Sequence, residues 1–337
     1  MKATSEGSRL STSTLATSAI AWGQAVSSVG DGSYIVTGLY EGQIVFQGGE
    51  DQDRTLTSDS RTFFLAGYDS AENFVWAKQG EGESTSEGLD AISDGSSFVV
   101  GSFAGEMVLG RGEGHEALLE SNGLWTHPHT PNQEADAFLA KFSPDGSLLW
   151  AKSFGGPNVD KATVVEAQDE GGCIVTAEIE KSAVLGGSET SKTTIQGPAG
   201  VVASYTADGA LRWAHKLEVR TIRDIAVFAD GSFVITGTFS GTATFGKGEE
   251  HETVLVASGD DDLYIAKFSS EGNLLWAKGE GSDYVSSPSF CPLGYSVSSS
   301  GKRVQNLRDG RWSRFSAANF LFRGYYGLTL IQNSIRQ

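Results

Sequence analysis

The chain has 337 residues, with 42 acidic and 25 basic side chains that give a formal net charge of −17 at pH 7. This charge disfavours contact with nucleic acid phosphates and suits cations or basic partners. Two cysteines are too few for a disulfide framework, and without a run of about 18 apolar residues the sequence predicts no membrane span. Glycine is abundant, and short runs of Val, Ile, Phe and Trp without helical periodicity predict an all-β chain.

A short sequence motif that ends in Trp-Ala-Lys or Trp-Ala-His occurs four times along the chain. Its tryptophans are Trp76, Trp150, Trp213 and Trp276. The last three are spaced 63 residues apart, and the first two are 74 residues apart because repeat 2 carries an insertion. A fixed period of this size is typical of an array of similar supersecondary units.

Each repeat contains four short strands, which we name a to d in chain order. In repeat 4 they read DIAVFA, SFVITGTF, DLYIAKFS and NLLWAKG. Asp230-Gly231 follows strand a and Glu271-Gly272 follows strand c, which predicts two tight hairpins because glycine tolerates positive φ. The predicted segments are a disordered stretch over 1–18 and a β-propeller over 19–337, with blades at about 19–80, 81–155, 156–217 and 218–280 and a degenerate fifth at 281–337.

Four antiparallel strands per unit, repeated about a closed axis, describe a β-propeller blade, an architecture that leaves only short, protected sheet edges. An open solenoid is the alternative, although its coils are usually shorter than about 60 residues. In a blade the tight a–b and c–d turns share one face. The long b–c excursions and the d–a linkers are therefore expected together on the other face.

The repeated text resembles a known family. The pattern D-x-[FY]-[LI]-A-K-F-S-x-[DE]-G-x-L-L-W-A-K of repeats 2 and 4, with the DGS-[FY]-[VI]-[VI]-T-G text of repeats 1 and 4, is similar to the bacterial β-propeller repeats known as SBBP. The resemblance covers roughly residues 19 to 281. It implies a propeller in an exported or cell-surface protein and supplies no catalytic motif. Because no secretory leader is visible in the sequence, a cytoplasmic location is the alternative.

Residues 295–337 break the acidic pattern, with seven Lys and Arg and one acid. We interpret the segment as a degenerate fifth blade, with FLFRG and YGLTLIQ as strands c and d, because the 57 residues from Gly281 to Gln337 suffice for one blade. A foreign tail, such as a shifted reading frame produces, is the alternative. The sequence leaves the final blade number and the oligomeric state open.

The recurring tryptophans are expected to pack one blade on the next, because a large ring at the same point of every strand d suits such an interface. Stacking on a cofactor or a sugar is the less favoured use of these rings. Cys173 occupies the strand position that Phe233 fills in repeat 4, which predicts a small buried side chain.

The b–c excursions are acidic in all four repeats and form the candidate binding face. Carboxylates converging from several blades could hold Ca²⁺, but a solvated rim is the interpretation favoured. The insertion in repeat 2 adds two histidines, an incomplete ligand set for Zn²⁺ or Cu²⁺, and one aromatic contact residue. The candidate binding residues are Glu113, Glu116, Trp125, His127, His129, Glu249 and Glu252.

The sequence contains no recognisable nucleophile motif, phosphate-binding loop or HExxH motif. It therefore favours a non-enzymatic propeller, without a cofactor, that binds a protein or a glycan through its acidic loop face. The alternatives are a carboxylate-based hydrolase or lyase with its site at the central channel, and a structural cell-surface repeat protein.

Overall fold

The computed structural model describes residues 20–47, 53–122, 135–187, 191–219 and 221–281, and the backbone of five short strands outside these ranges. Every regular element among them is a β-strand, and no helix occurs in this part of the chain. The prediction of an all-β fold is confirmed.

The strands follow the repeats. Three short strands come first, β1 (Lys2–Ala3), β2 (Arg9–Ser11) and β3 (Ala16–Thr17). Repeat 1 contains β4 (Ala21–Ser28), β5 (Tyr34–Phe46), β6 (Arg54–Tyr68) and β7 (Phe74–Gln79). Repeat 2 contains β8 (Glu81–Ala91), β9 (Ser97–Leu109), β10 (Ala117–Glu120), β11 (Asp136–Phe142) and β12 (Leu148–Phe154).

The second half continues in the same way. Repeat 3 contains β13 (Asp160–Ala167), β14 (Cys173–Ile179), β15 (Ser182–Leu185), β16 (Thr193–Gln196), β17 (Ala199–Tyr205) and β18 (Leu211–Leu217). Repeat 4 contains β19 (Thr221–Val227), β20 (Phe233–Phe239), β21 (Thr242–Phe245), β22 (Thr253–Val256), β23 (Asp262–Phe268) and β24 (Leu274–Glu280). The last strands are β25 (Phe320–Gly324) and β26 (Gly327–Ile331).

Each repeat forms its own antiparallel sheet, with strands a, b, c and d as successive neighbours. The four sheets contain β4-β5-β6-β7, β8-β9-β11-β12, β13-β14-β17-β18 and β19-β20-β23-β24, and the first two have a fifth strand each, β3 paired with β5 and β10 paired with β9. β25 and β26 coincide with the FLFRG and YGLTLIQ runs and pair antiparallel. The remainder of the predicted fifth blade lies outside the described residues, so that blade stays a prediction.

The a–b hairpins form where the sequence predicts them. In repeat 1, Gly32 N donates to Val29 O and Val29 N donates to Ser33 O, which makes a three-residue loop with Gly32 at φ +92°. Asp31 Oδ1 accepts hydrogen bonds from Ser33 Oγ and Ser33 N, and these bonds hold the pKa of Asp31 below its usual value. An Asp-Gly-Ser text suits this loop because glycine adopts the left-handed conformation and the aspartate bonds its own backbone.

The b–c excursions contain hairpins as well as loops. β15 pairs with β16 and β21 pairs with β22, while β10 pairs with the outer half of β9. Each of these excursions is therefore a second, smaller hairpin, and those of repeats 2 and 4 carry acidic residues at their described tips.

The chain divides into two compact units. One contains residues 1–198 and 203–212, and the other contains residues 199–202 and 213–337. In the first unit, buried apolar residues of repeats 1 and 2 form one core, in which the rings of Phe63 and Phe138 stack with centroids 5.3 Å apart. In the second unit, Phe233 stacks on Phe268 with centroids 5.2 Å apart.

Cys173 lies inside strand b of repeat 3. Its side chain is fully buried and its thiol is free, as the sequence predicts. Burial raises the pKa of the thiol, so Cys173 is a small core residue and an unreactive one.

Candidate functional site

The acidic tips of the b–c hairpins fold back toward the c–d turns. In repeat 2, Glu113 Oε2 accepts a hydrogen bond from Leu148 N at 2.9 Å, and Glu113 Oε1 pairs with Lys78 of repeat 1. In repeat 4, Glu249 Oε2 accepts one from Leu274 N at 2.5 Å. Both leucines open strand d, directly after the c–d turn. The prediction that these tips lie on the face opposite the turns is wrong, because the glutamates satisfy backbone amides at the turn end.

The second predicted glutamate of each tip closes the tip on itself. Glu116 Oε2 accepts from Gly112 N at 3.1 Å, and Glu252 Oε2 accepts from Gly248 N at 2.7 Å. Both glutamates are exposed, whereas Glu113 is half-buried. Glu116 and Glu252 are therefore the predicted binding residues that present a carboxylate to solvent.

The insertion of repeat 2 is anchored at its base. Trp125, His127 and His129 lie outside the described residues, and their binding role stays a prediction. Asn122 N and Asn122 Nδ2 donate to Asp136 Oδ2 at 3.0 and 2.7 Å. These bonds clamp together the two described ends of the insertion.

Two carboxyl groups at the boundary of repeats 2 and 3 are completely buried, Asp136 and Asp160. Asp160 accepts hydrogen bonds from Gly156 N at 2.7 Å and Glu180 N at 3.0 Å, while Asp136 Oδ1 has no partner in the described part of the chain. The pKa of Asp160 is raised to about 7, mainly by loss of solvation and in smaller part by the nearby charge of Asp136. Burial also raises the pKa of Asp136.

Sequence reasoning missed this acid pair. Asp136 opens strand c of repeat 2, and the equivalent residues of repeats 1 and 3 are Thr62 and Ala199. The available signal was an acidic residue at the first position of strand c, where repeats 1 and 3 have an uncharged residue. Because both carboxyls are buried, and Asp160 is bonded to the main chain, the pair gives no support to a hydrolase that uses accessible acids.

Three of the recurring tryptophans join one repeat to the next. In each case the indole Nε1–H donates to a carbonyl oxygen in the c–d turn of the following repeat. The pairs are Trp76 with Pro144 at 2.9 Å, Trp150 with Ala207 at 3.0 Å and Trp213 with Ser270 at 3.2 Å. The rings are half-buried, so they belong to the junctions between repeats and not to the interior of a sheet.

A glycine in each receiving turn lies against the ring. A Cβ added to Gly146 would lie 2.5 Å from the ring of Trp76, and one added to Gly209 would lie 2.8 Å from the ring of Trp150. Gly146 and Gly209 also have φ of +78° and +83°. The turn therefore needs glycine for two reasons, its backbone conformation and the close approach of the indole.

Lys141 of repeat 2 adds a second tie to repeat 3. The side chain is buried, and its Nζ donates to Gly171 O at 2.8 Å and to Ala207 O at 3.3 Å. The ammonium also lies 5.1 Å from the ring centroid of Phe98, where a cation–π interaction stabilises its charge. One ammonium group thus holds both turns of the following repeat, which offsets the cost of burying its charge.

The b–c hairpin of repeat 4 carries an exposed apolar edge. Val254 and Val256 of β22 have 55% and 71% of their surface exposed, and β22 pairs with β21 alone. The two valines alternate along the strand, so they share one face. In repeat 3 the equivalent residues are Thr194 and Gln196, which are polar.

Two kinds of feature are absent from the described residues, a cluster of metal ligands and a membrane-spanning helix. No group of three or more His, Cys, Asp or Glu side chains in that part of the chain is placed to hold a metal ion. No helix there is long and apolar enough to cross a membrane.

Comparison with known proteins adds a distant structural likeness. No protein-family model matches the chain, and no curated protein matches it. Among solved structures, the chain is similar to a protein of unknown function from Bacteroides caccae, with a TM-score of 0.29 and 11% identity over 77% of this chain and 81% of that chain. At this TM-score the likeness supports no statement about function.

Proposed function

We propose that the chain is a non-enzymatic β-propeller module of the SBBP type that binds a protein through its b–c hairpins, with a glycan as the alternative ligand. Four consecutive repeats form a-b-c-d antiparallel sheets, and three tryptophans tie a repeat to the following one by the same contact. A contact that recurs in this way gives a similar rotation at each step, which is how repeat architectures are built. Both observations support a propeller.

The use of the polar groups favours a scaffold over an enzyme. Asp136 and Asp160, two carboxyls whose pKa is raised by burial, are fully buried. Glu113 and Glu249 are bonded to main-chain amides of their own sheets. Catalytic acids need access to a substrate, whereas these groups hold strands and hairpins together.

The exposed edge of β22 carries the ligand proposal. Val254 and Val256 are apolar side chains on an edge strand, which is the arrangement that receives an extended peptide by strand addition. Glu250 and Glu252 precede this strand and are exposed. The combination favours an extended, basic protein segment, because the valines would pack on its apolar side chains while the glutamates attract its charge.

A peptide titration tests this proposal. The probe is a dye-labelled octapeptide of alternating Lys and Val, followed by fluorescence anisotropy with the full chain, and a glycan array is run in parallel. We expect Val256→Lys to weaken peptide binding at least about tenfold, since a lysine on an edge strand blocks strand addition. The matched control is Gln196→Lys, the equivalent change in repeat 3, which should weaken binding less than about twofold.

Equal losses in the two variants would reduce the effect to net charge and remove β22 from the site. Glycan binding without peptide binding would replace the protein ligand with the alternative. Absence of both would contradict the binding function itself.

A further inference from the structure

The outer edge of repeat 4 carries a set of donors that earlier repeats use to hold their neighbour. The set is Trp276, Lys267 and Lys278, the equivalents of Trp150, Lys141 and Lys152. In repeat 2 the indole and the buried ammonium both donate to Ala207 O of the following repeat. Lys152 attracts the carboxylate of Asp208 in that same turn. All three contacts thus converge on a single β-turn.

On repeat 4 these donors have no such turn among the described residues. Lys267 Nζ lies 4.6 Å from the ring centroid of Phe228, and Lys278 Nζ lies 5.8 Å from the ring centroid of Trp276. Neither ammonium nor the indole nitrogen donates a hydrogen bond to a residue in 221–281. Lys267 is half-buried, whereas its equivalent Lys141 is 7% exposed.

The occupant of this edge must offer a glycine beneath the indole ring. Each described turn with glycine at that position already receives the tryptophan of the preceding repeat. The c–d turn of repeat 1 has Glu72 there, with φ +71°, so its side chain would occupy the place of the ring. Among the described c–d turns, a second copy of the chain therefore offers no free turn of the required shape.

We propose that Lys267, Trp276 and Lys278 form a docking surface for a glycine-containing acidic β-turn supplied by another polypeptide. The turn has the sequence X-Asp-Gly or X-Glu-Gly, as in repeats 2 to 4. Its first carbonyl accepts from Trp276 Nε1 and Lys267 Nζ, and its carboxylate faces Lys278. The surface continues a contact that recurs three times in the chain, and it does not depend on the ligand proposed for β22.

The test uses the full chain labelled with ¹⁵N-tryptophan and an unlabelled peptide of residues 136–154, closed by a disulfide between added terminal cysteines. Ala137 and Phe154 face each other in the hairpin, so closure at the ends keeps its register. We expect the Trp276 indole N–H, assigned from a Trp276→Phe variant, to exchange fast with water in the free chain and to shift when the peptide is added. The indole N–H signals of Trp76, Trp150 and Trp213 should stay in place.

Two controls distinguish specific binding at this surface from nonspecific binding of the peptide. A peptide with Gly146→Glu, which copies the turn of repeat 1, should bind at least about tenfold more weakly. Lys278→Glu in the chain should weaken binding of the original peptide by a similar factor, as measured by fluorescence anisotropy of the labelled peptide. Equal affinity for both peptides would overturn the proposal. A Trp276 N–H as protected as that of Trp150 in the free chain would also overturn it, because the surface would then be covered by the chain itself.

Discussion

Repeats 2 and 4 carry nearly the same strand c, DAFLAKF and DLYIAKF, in different surroundings. All seven residues of β11 are buried, whereas β23 leaves Leu263 and Lys267 half-buried. The sheet around each strand is the same, and strand c has strands b and d as neighbours in both. The difference shows that the following repeat completes the burial of strand c. Stability in this chain therefore resides at the junctions as well as within the sheets.

The largest expected contrast is between two tryptophans. Trp150→Ala should lower the free energy of unfolding by about 3 kcal/mol, because the ring and its hydrogen bond to Ala207 O are both lost. Trp276→Ala should cost less than about 1 kcal/mol, because no described turn packs on its ring. Urea unfolding followed by circular dichroism measures both. Equal costs would show that the tryptophans stabilise their own sheets and not the junctions.

Next in expected size is the pH dependence of stability. The pKa of Asp160 is raised from 3.8 to about 7, so the folded state keeps a proton that the unfolded state releases as the pH rises above about 4. The free energy of unfolding contributed by this group therefore falls between about pH 4 and pH 7 and is constant above that range. Asp136→Asn removes the neighbouring charge, which should lower the pKa of Asp160 and flatten this fall.

Urea unfolding at several pH values between about 4.5 and 7.5 checks the acid pair. A slope that Asp136→Asn leaves unchanged would contradict the pairing of the two buried acids.

The two equivalent lysines give a smaller contrast. Lys141→Met should cost about 2 kcal/mol, because the carbonyls of Gly171 and Ala207 lose a charged donor. Lys267→Met should cost less than about 0.5 kcal/mol, since methionine keeps most of the packing on Phe228. Thermal or urea unfolding of the two variants measures both costs. If Lys267→Met lowered the free energy of unfolding more than Lys141→Met, the proposed stabilisation of the junction between repeats 2 and 3 by Lys141 would be contradicted.

The smallest contrast concerns the hairpin tips. Glu113→Gln should cost about 1 kcal/mol and Glu249→Gln about half as much, because Glu113 loses its pairing with Lys78 as well as charge on its bond to Leu148 N. Amide hydrogen exchange at Leu148 and Leu274 reports the opening of each tip. Exchange that both variants leave unaltered would show that these carboxylates do not hold the tips.

Much of the fold could be predicted from local sequence. Asp-Gly and Glu-Gly dipeptides between apolar runs located the tight hairpins, because the turn conformation depends on a few neighbouring residues. The fixed spacing of Trp150, Trp213 and Trp276 identified the repeats and their packing role. The burial of Cys173 could be predicted because its equivalents in repeats 1 and 4, Tyr34 and Phe233, are aromatic residues.

The placement of the candidate binding residues could not be predicted in the same way. Glu113 and Glu249 looked like rim acids, and only the structure shows that the hairpin bends back to bring them to the first amide of strand d. That bend depends on contacts between residues about 25 to 35 apart, beyond the reach of local patterns. The meeting of Asp136 and Asp160 likewise depends on how one repeat follows another.

The contact between an indole and a turn glycine is the central claim, and a double-mutant cycle on Trp150 and Gly209 tests it most directly. A Cβ on Gly209 would lie 2.8 Å from the Trp150 ring, so Gly209→Ala should destabilise the parent chain by a clash and by strain at φ +83°. In the Trp150→Ala background only the strain remains. We predict that the two changes cost at least about 1 kcal/mol less together than the sum of their separate costs. Costs that add within about 0.5 kcal/mol would contradict the contact and with it the serial junctions.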